Sequence, residues 1–129
     1  MLISIGFDIL KFKRIEKIWF NYGTIFTNKV LSKYEILNSP KKRFFISYIA
    51  KIFSAKESLS KAIGTGFRKN IRLKEISLYK NNLGKPFLFF HGNTKNFLLL
   101  NNVKKCHITI TDENEYVSSL VILEYKKQN

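Results

Sequence analysis

Residues 2–7, LISIGF, alternate along the chain, with Leu2, Ser4 and Gly6 on one side and Ile3, Ile5 and Phe7 on the other. A period of two predicts a strand with one face better buried. The less apolar face runs on to Asp8. From Phe12 the period lengthens: Phe12, Ile15, Trp19 and Tyr22 fall at helical spacing, and Gly23 is a natural stop. A second short helix is expected around Phe26, Val30 and Leu31, and Ser32–Glu35 opens a third segment. After Ser39-Pro40 and the basic cluster Lys41-Lys42-Arg43, residues 44–63 carry the longest helical pattern. Phe45, Ile49, Ile52, Leu59 and Ile63 form its stripe, flanked by Tyr48, Ala55 and Ala62. Gly64 ends it.

The second half changes period. Residues 71–80 alternate as a strand with Glu75 out of step, and NNLGKP (81–86) is a turn by composition. A strand at 87–91, a short helix at 94–100 and two strands at 107–111 and 116–125 follow, the last pair joined near Asn114 and Glu115. This order predicts an α+β fold, an antiparallel sheet packed with one long helix and shorter helices, in a single domain over 1–129. No internal repeat, long linker or low-complexity tail is evident.

Composition narrows the class. Of 129 residues, 45% are hydrophobic and 25% charged, the balance of an ordinary globular domain. No apolar run approaches the roughly 20 residues that span a bilayer. The first residues lack the order of a secretory signal, so a cytoplasmic, intact chain is expected. One cysteine, Cys106, excludes an internal disulfide framework and any cysteine-based zinc cluster. The net charge of +14 favours an anionic partner: nucleic acid, an anionic membrane, an acidic protein or a phosphate ligand. Nineteen lysines against four arginines, with many Asn, Ile and Phe, also fit an AT-rich coding bias. Only nine residues are acidic, so each one carries weight.

Two acids draw attention. Glu57 and Lys61 stand one helical turn apart in FSAKESLSKAIGTGF (53–67). That spacing gives a solvated ion pair worth a few tenths of a kcal/mol. The same residues beside a glycine turn also suit a hard divalent cation and a phosphate. Asp8 is either a helix N-cap or a carboxylate pointing into a cleft. His107, with Thr109 and Thr111 on its face, reads as structural when taken alone, and His91 likewise. The Gly64-Thr65-Gly66 turn ends a helix and has amides that can cradle phosphate.

Their joint order adds more. Gly6-x-Asp8, then Arg14-Ile15-Glu16, then F-S-A-K-E-S-L-S-K-A-I-G-T-G, then N-x-x-G-K-P at 81–86, then H-I-T-I-T-D-E with a Tyr-containing strand resemble the holo-[acyl-carrier-protein] synthases. These are the small bacterial type of 4′-phosphopantetheinyl transferase, and the resemblance covers essentially the whole chain. It implies transfer of the phosphopantetheine arm of coenzyme A to a serine of apo acyl carrier protein, in fatty acid biosynthesis, releasing adenosine 3′,5′-bisphosphate. By the same resemblance Asp8 and Glu57 are Mg²⁺ ligands, Glu57 also takes the serine proton, and Lys61 clamps the pyrophosphate. His107 touches a phosphate or supports the metal shell. Lys42 and Arg43 suit the 3′-phosphate, while Gly64, Thr65, Gly66 and Pro86 line the nucleotide pocket.

The family commonly has arginine where this chain has Ile52, which moves one phosphate contact to Lys51. Ser58 and Ser60 stand where alanine is more usual. An acidic carrier protein accounts for the charge, docking on the helix at 12–22 through Arg14 and Lys17, with Lys29 nearby. The family assembles as homotrimers with sites between subunits, for which the strands at 87–90 and 116–125 are the candidate interface. No nucleic acid or membrane partner is implied. Two other readings stay open on the residues alone: a basic RNA- or ribosome-binding module, which has no need of Asp8 and Glu57, and a folded relative with degraded activity.

Overall fold

The computed structural model describes residues 2–64 and 70–127. Its elements, in chain order, are β1 (Leu2–Lys11), α1 (Phe12–Tyr22), α2 (Thr24–Val30), α3 (Lys33–Leu37) and α4 (Lys42–Ile63). A 3₁₀ turn (Leu73–Glu75) then leads into β2 (Ile76–Lys80), β3 (Pro86–Phe90), α5 (Gly92–Leu100), β4 (Val103–Glu113) and β5 (Tyr116–Tyr125). The architecture is the expected α+β one. One antiparallel sheet has the order β1-β5-β4, and β2 and β3 form a separate hairpin. β1 runs antiparallel to β5 from Leu2 opposite Tyr125 to Lys11 opposite Tyr116.

The long helix α4 crosses the inner face of this sheet and serves two apolar clusters. Ala55, Leu59 and Ala62 join Ile76, Leu88, Ile108, Val121 and Leu123 in one; Ile49, Ala50 and Ile52 join Leu10, Ile15, Val30 and Val117 in the other. Its C-terminus is set by Gly64 at φ 87°, whose amide donates to Ser60 O at 2.9 Å. Glycine adopts this left-handed conformation without the backbone strain that a side chain adds there.

The structure decides two readings left open by the sequence and corrects a third. The better-buried face of β1 is the less apolar one: Gly6, Asp8 and Leu10 point to α4, while Ile3, Ile5, Phe7 and Ile9 are 47–57% exposed on the outer face. Asp8 is no N-cap, because β1 continues to Lys11, and Phe12 N donates instead to Glu115 O at 2.9 Å. The 71–80 strand is shortened to β2 because Glu75 turns aside to cap α5. Its carboxylate accepts from Asn93 N (2.9 Å), Thr94 N (3.1 Å) and Thr94 Oγ1 (2.9 Å). Partial burial pushes the Glu75 carboxyl up, but these donors outweigh it and hold it below its usual value.

Cys106, on the inner face of β4, borders a cavity of about 260 Å³ with Leu88, Leu98 and Val103. Burial pushes its thiol up to about 12. At pH 8 the thiolate fraction is then about 10⁻⁴, against roughly a tenth to a quarter for a free cysteine. A disulfide-exchange reagent is therefore expected to label the native chain at least about 100-fold more slowly than the urea-unfolded chain. Equal rates would contradict the placement.

Candidate active site

Gly6 decides how closely β1 approaches α4. A Cβ at this position would stand 1.8 Å from Ser58 O and 2.5 Å from Ala62 N, both backbone atoms. The strand therefore rests directly on the helix, and Asp8, next along the inner face, meets the turn that carries Glu57 and Lys61. Ser119, directly opposite Asp8 on β5, fastens the same junction. Its hydroxyl donates to Ser54 O at 2.8 Å, and Ser58 Oγ donates to Ser119 O at 3.0 Å. The buried Ser58 hydroxyl thus has a partner on β5.

Lys61 Nζ donates to Asp8 Oδ1 and to Phe7 O, each at 3.1 Å. Its ion pair is thus with Asp8 across the strand, not the helical pair with Glu57 that the spacing allowed. Half of the Lys61 side chain remains exposed, so its ammonium borders solvent with hydrogen-bonding capacity to spare. Glu57 is half-buried beside them. Burial raises its carboxyl above the usual range and the neighbouring Asp8 raises it further; Lys61 and Arg14 offset part of this. Arg14, on α1, is therefore close enough to Glu57 to act on it electrostatically.

Asp8 Oδ2 is buried and has no hydrogen-bond partner among the described residues. Buried carboxylate oxygens are ordinarily satisfied. An unsatisfied one beside a second, destabilised carboxylate is the donor set a hard divalent cation takes, with its remaining ligands from water or phosphate. Asp8 and Glu57 thus fit Mg²⁺. Among the described residues, no group of three or more His, Cys, Asp or Glu side chains could close around a metal ion.

The other expected site residues lie apart. His107 is on the outer face of β4, opposite Ile122, and bonds Glu124 Oε2 at 2.5 Å. That bond holds the Glu124 carboxyl below its usual value. Within one chain His107 does not join the Asp8 group. Lys42 and Arg43 occupy the first turn of α4; Lys42 is fifteen residues before Glu57, or about 22 Å along the helix axis. Lys51 pairs with Asp112 at 3.8 Å and borders a cavity of about 400 Å³ between α3, α4 and β2, with Tyr34, Tyr48 and Lys80. Pro86 opens β3 opposite Lys80. Gly64 caps α4 one turn beyond Lys61, and Thr65 and Gly66 fall outside the described residues. Lys17 is exposed on α1 along a groove of about 530 Å³ with Lys13, Trp19, Phe20 and Ile46. Lys29 lies in the last turn of α2. Phe87 and Phe89 project from the separate hairpin, packed against Tyr79.

Sequence reasoning missed the physical role of Gly6 and the pairing of Lys56. A lone glycine inside a strand was the available signal for close backbone approach.

Comparison with known proteins finds relatives over nearly the whole chain. Residues 4–121 match the model of the 4′-phosphopantetheinyl transferase superfamily. The chain is 38% identical over 133 residues to holo-[acyl-carrier-protein] synthase of Wigglesworthia glossinidia brevipalpis, covering 99% of this chain and 96% of that protein. It is 38% identical over 125 residues to the synthase of Buchnera aphidicola subsp. Baizongia pistaciae, covering 95% and 98%. The crystal structure of the synthase from Neisseria meningitidis superposes with a TM-score of 0.90 at 31% identity, over 94% of this chain and 97% of that one. That from Helicobacter pylori, in complex with coenzyme A, gives 0.80 at 26% identity over 93% and 99%.

Proposed function

The chain belongs to the 4′-phosphopantetheinyl transferase superfamily, and on that premise we propose that it is a holo-[acyl-carrier-protein] synthase. It moves the 4′-phosphopantetheine arm of coenzyme A to a serine of apo acyl carrier protein. The observation that carries this reading is the meeting of Asp8, Glu57 and Lys61, with Asp8 Oδ2 left unpaired.

In the reaction the serine Oγ attacks the phosphorus that bears the pantetheine arm. The pyrophosphate bond breaks, adenosine 3′,5′-bisphosphate leaves and the serine proton is lost. Glu57, made more basic by burial and by Asp8, accepts that proton. Lys61 is held against Asp8 and Phe7 O, so its ammonium is oriented before substrate arrives and stabilises charge on the leaving phosphate. Asp8 and Glu57 would hold Mg²⁺, which when bound supplies charge neutralisation across the pyrophosphate. Transfer of this kind draws its acceleration mostly from positioning and electrostatics. Lys61→Ala is expected to lower kcat about 10²- to 10³-fold, read by release of the bisphosphate. A loss under threefold would contradict its role. EDTA is expected to abolish transfer and added Mg²⁺ to restore it.

Arg14 and Lys17 on α1 receive the acidic carrier protein, and Arg14 brings the docking helix to the edge of the Glu57 site. Catalysis takes place in the cytoplasm as a step of fatty acid biosynthesis, in a homotrimer. The outer face of β1, with Ile3, Ile5, Phe7 and Ile9 exposed beside Leu120 and Ile122, supports assembly through the sheet. Such packing accounts for Lys42, Arg43, Lys51 and His107 as contributions to a neighbouring chain's site, since they lie apart from their own. Phe7→Asp is expected to convert the assembly to single chains in light scattering at micromolar concentration. An unchanged mass would contradict interface formation by this face.

A further inference from the structure

Lys56 precedes Glu57 in the chain and points the other way. It is fully buried, and its ammonium makes three hydrogen bonds: to Val30 O at 2.7 Å, Glu35 Oε1 at 2.6 Å and Leu73 O at 2.9 Å. Glu35 is equally buried and fully used. Its Oε1 also accepts from Ser32 N at 2.8 Å, completing a capping box, and its Oε2 accepts from Leu78 N at 2.8 Å. One ion pair therefore joins the end of α2, the start of α3, α4, the 3₁₀ turn and β2. It lies outside the Asp8 group and takes no part in the steps above.

A gain in stability is a weak explanation for it. Two apolar side chains of similar volume often hold a protein as well as a buried ion pair does, because desolvation offsets the Coulomb gain. Direction is what the pair adds. An ammonium with all three protons fixed to acceptors from three separate elements sets both the rotation and the axial position of α4. Successive helical residues differ by about 100° in direction, so fixing Lys56 on one side fixes Glu57 on the side facing Asp8. Gly6 lets β1 touch the helix, and the Glu35–Lys56 pair fixes which helix face it touches.

We infer that Glu35 and Lys56 are positioning residues for the Glu57 carboxylate, acting through the rotation of α4. This deepens the transferase reading and rests on it. The test uses the full chain as Lys56→Met/Glu35→Gln, which removes both charges and leaves neither partner buried and ionised. Measured are the melting temperature, kcat, KM for coenzyme A, and Mn²⁺ affinity by paramagnetic resonance in the absence of substrate. The expected result is a folded protein with KM within threefold of wild type, kcat at least 10-fold lower and Mn²⁺ bound at least fivefold more weakly. Kcat within twofold and unchanged Mn²⁺ affinity in the folded variant would make the pair merely structural and overturn the inference. Should the double variant not fold, Lys56→Arg, which keeps the charge but cannot match three acceptors set for an ammonium, decides by the same criteria. Wild-type protein that binds Mn²⁺ yet transfers nothing would sink the transferase reading alone, and the Mn²⁺ comparison would still judge the pair. Wild-type protein that transfers yet binds no Mn²⁺ without substrate keeps the transferase reading, and the kcat comparison then judges the pair.

Discussion

Glu57→Ala is expected to lower kcat for carrier-protein modification by at least about 10³-fold while leaving the fold intact. The fold should survive because Glu57 is only half-buried and contributes to neither apolar cluster. Removing it also ends the partial burial of a carboxyl and its repulsion with Asp8, the two effects that raise it, so the melting temperature should hold or rise. The catalytic loss combines two effects. A proton acceptor in place is typically worth 10²- to 10⁴-fold, and a ligand to the proposed Mg²⁺ goes with it. Glu57→Gln separates them, since it keeps an oxygen donor and abolishes the base. Steady-state kinetics with a melting curve on the same samples checks the prediction. A variant with more than a tenth of wild-type kcat would remove Glu57 from the chemistry.

Gly6→Ala should be the most damaging small substitution in β1. The added carbon meets backbone atoms of α4 at 1.8 Å and 2.5 Å, which no side-chain rotation relieves. Strand and helix must separate, at a cost of about 3 kcal/mol or more, or roughly 10 °C in melting temperature for a domain of this size. Whatever remains folded should also lose activity, because separating β1 from α4 draws Asp8 away from Glu57 and Lys61. Circular dichroism melting beside Ser4→Ala, two residues earlier on the same face, measures the specific cost. Equal melting of the two variants would show that the contact can relax.

The elements were largely legible because their periods are unambiguous. Phe12–Tyr22 repeats at helical spacing, residues 116–125 alternate, and Gly64 stops a helix of 22 residues. Other features depend on contacts that no local pattern carries. Alternation in LISIGF identifies two faces, but not which one meets the chain's own helix; here the apolar face is left outward. Glu35 and Lys56 pair across 21 positions, and nothing adjacent to either announces it. Glu75 broke the alternation of 71–80 visibly, yet its destination at the start of α5 lies in tertiary space. The orientation of His107 was within reach: it alternates with Ile108 and Ile110, which pack inward, so its own side chain faces out.

The candidate site divides in the same way. Asp8, Glu57 and Lys61 come together because G-x-D on a strand and K-E-x-x-x-K on a helix are each rigid local units, and the close contact at Gly6 lets them meet. The softer assignments, Lys42, Arg43, Lys51 and His107, have no such shared frame within one chain. The RNA-module alternative explains the charge of +14, but gives no reason for a buried carboxylate oxygen without a partner.

The most direct test is intact-mass spectrometry of apo acyl carrier protein after incubation with this protein, coenzyme A and Mg²⁺. The account predicts that the carrier gains the mass of one phosphopantetheine, on its serine, with stoichiometric release of adenosine 3′,5′-bisphosphate. A carrier of unchanged mass, with the protein folded and coenzyme A intact, would contradict it.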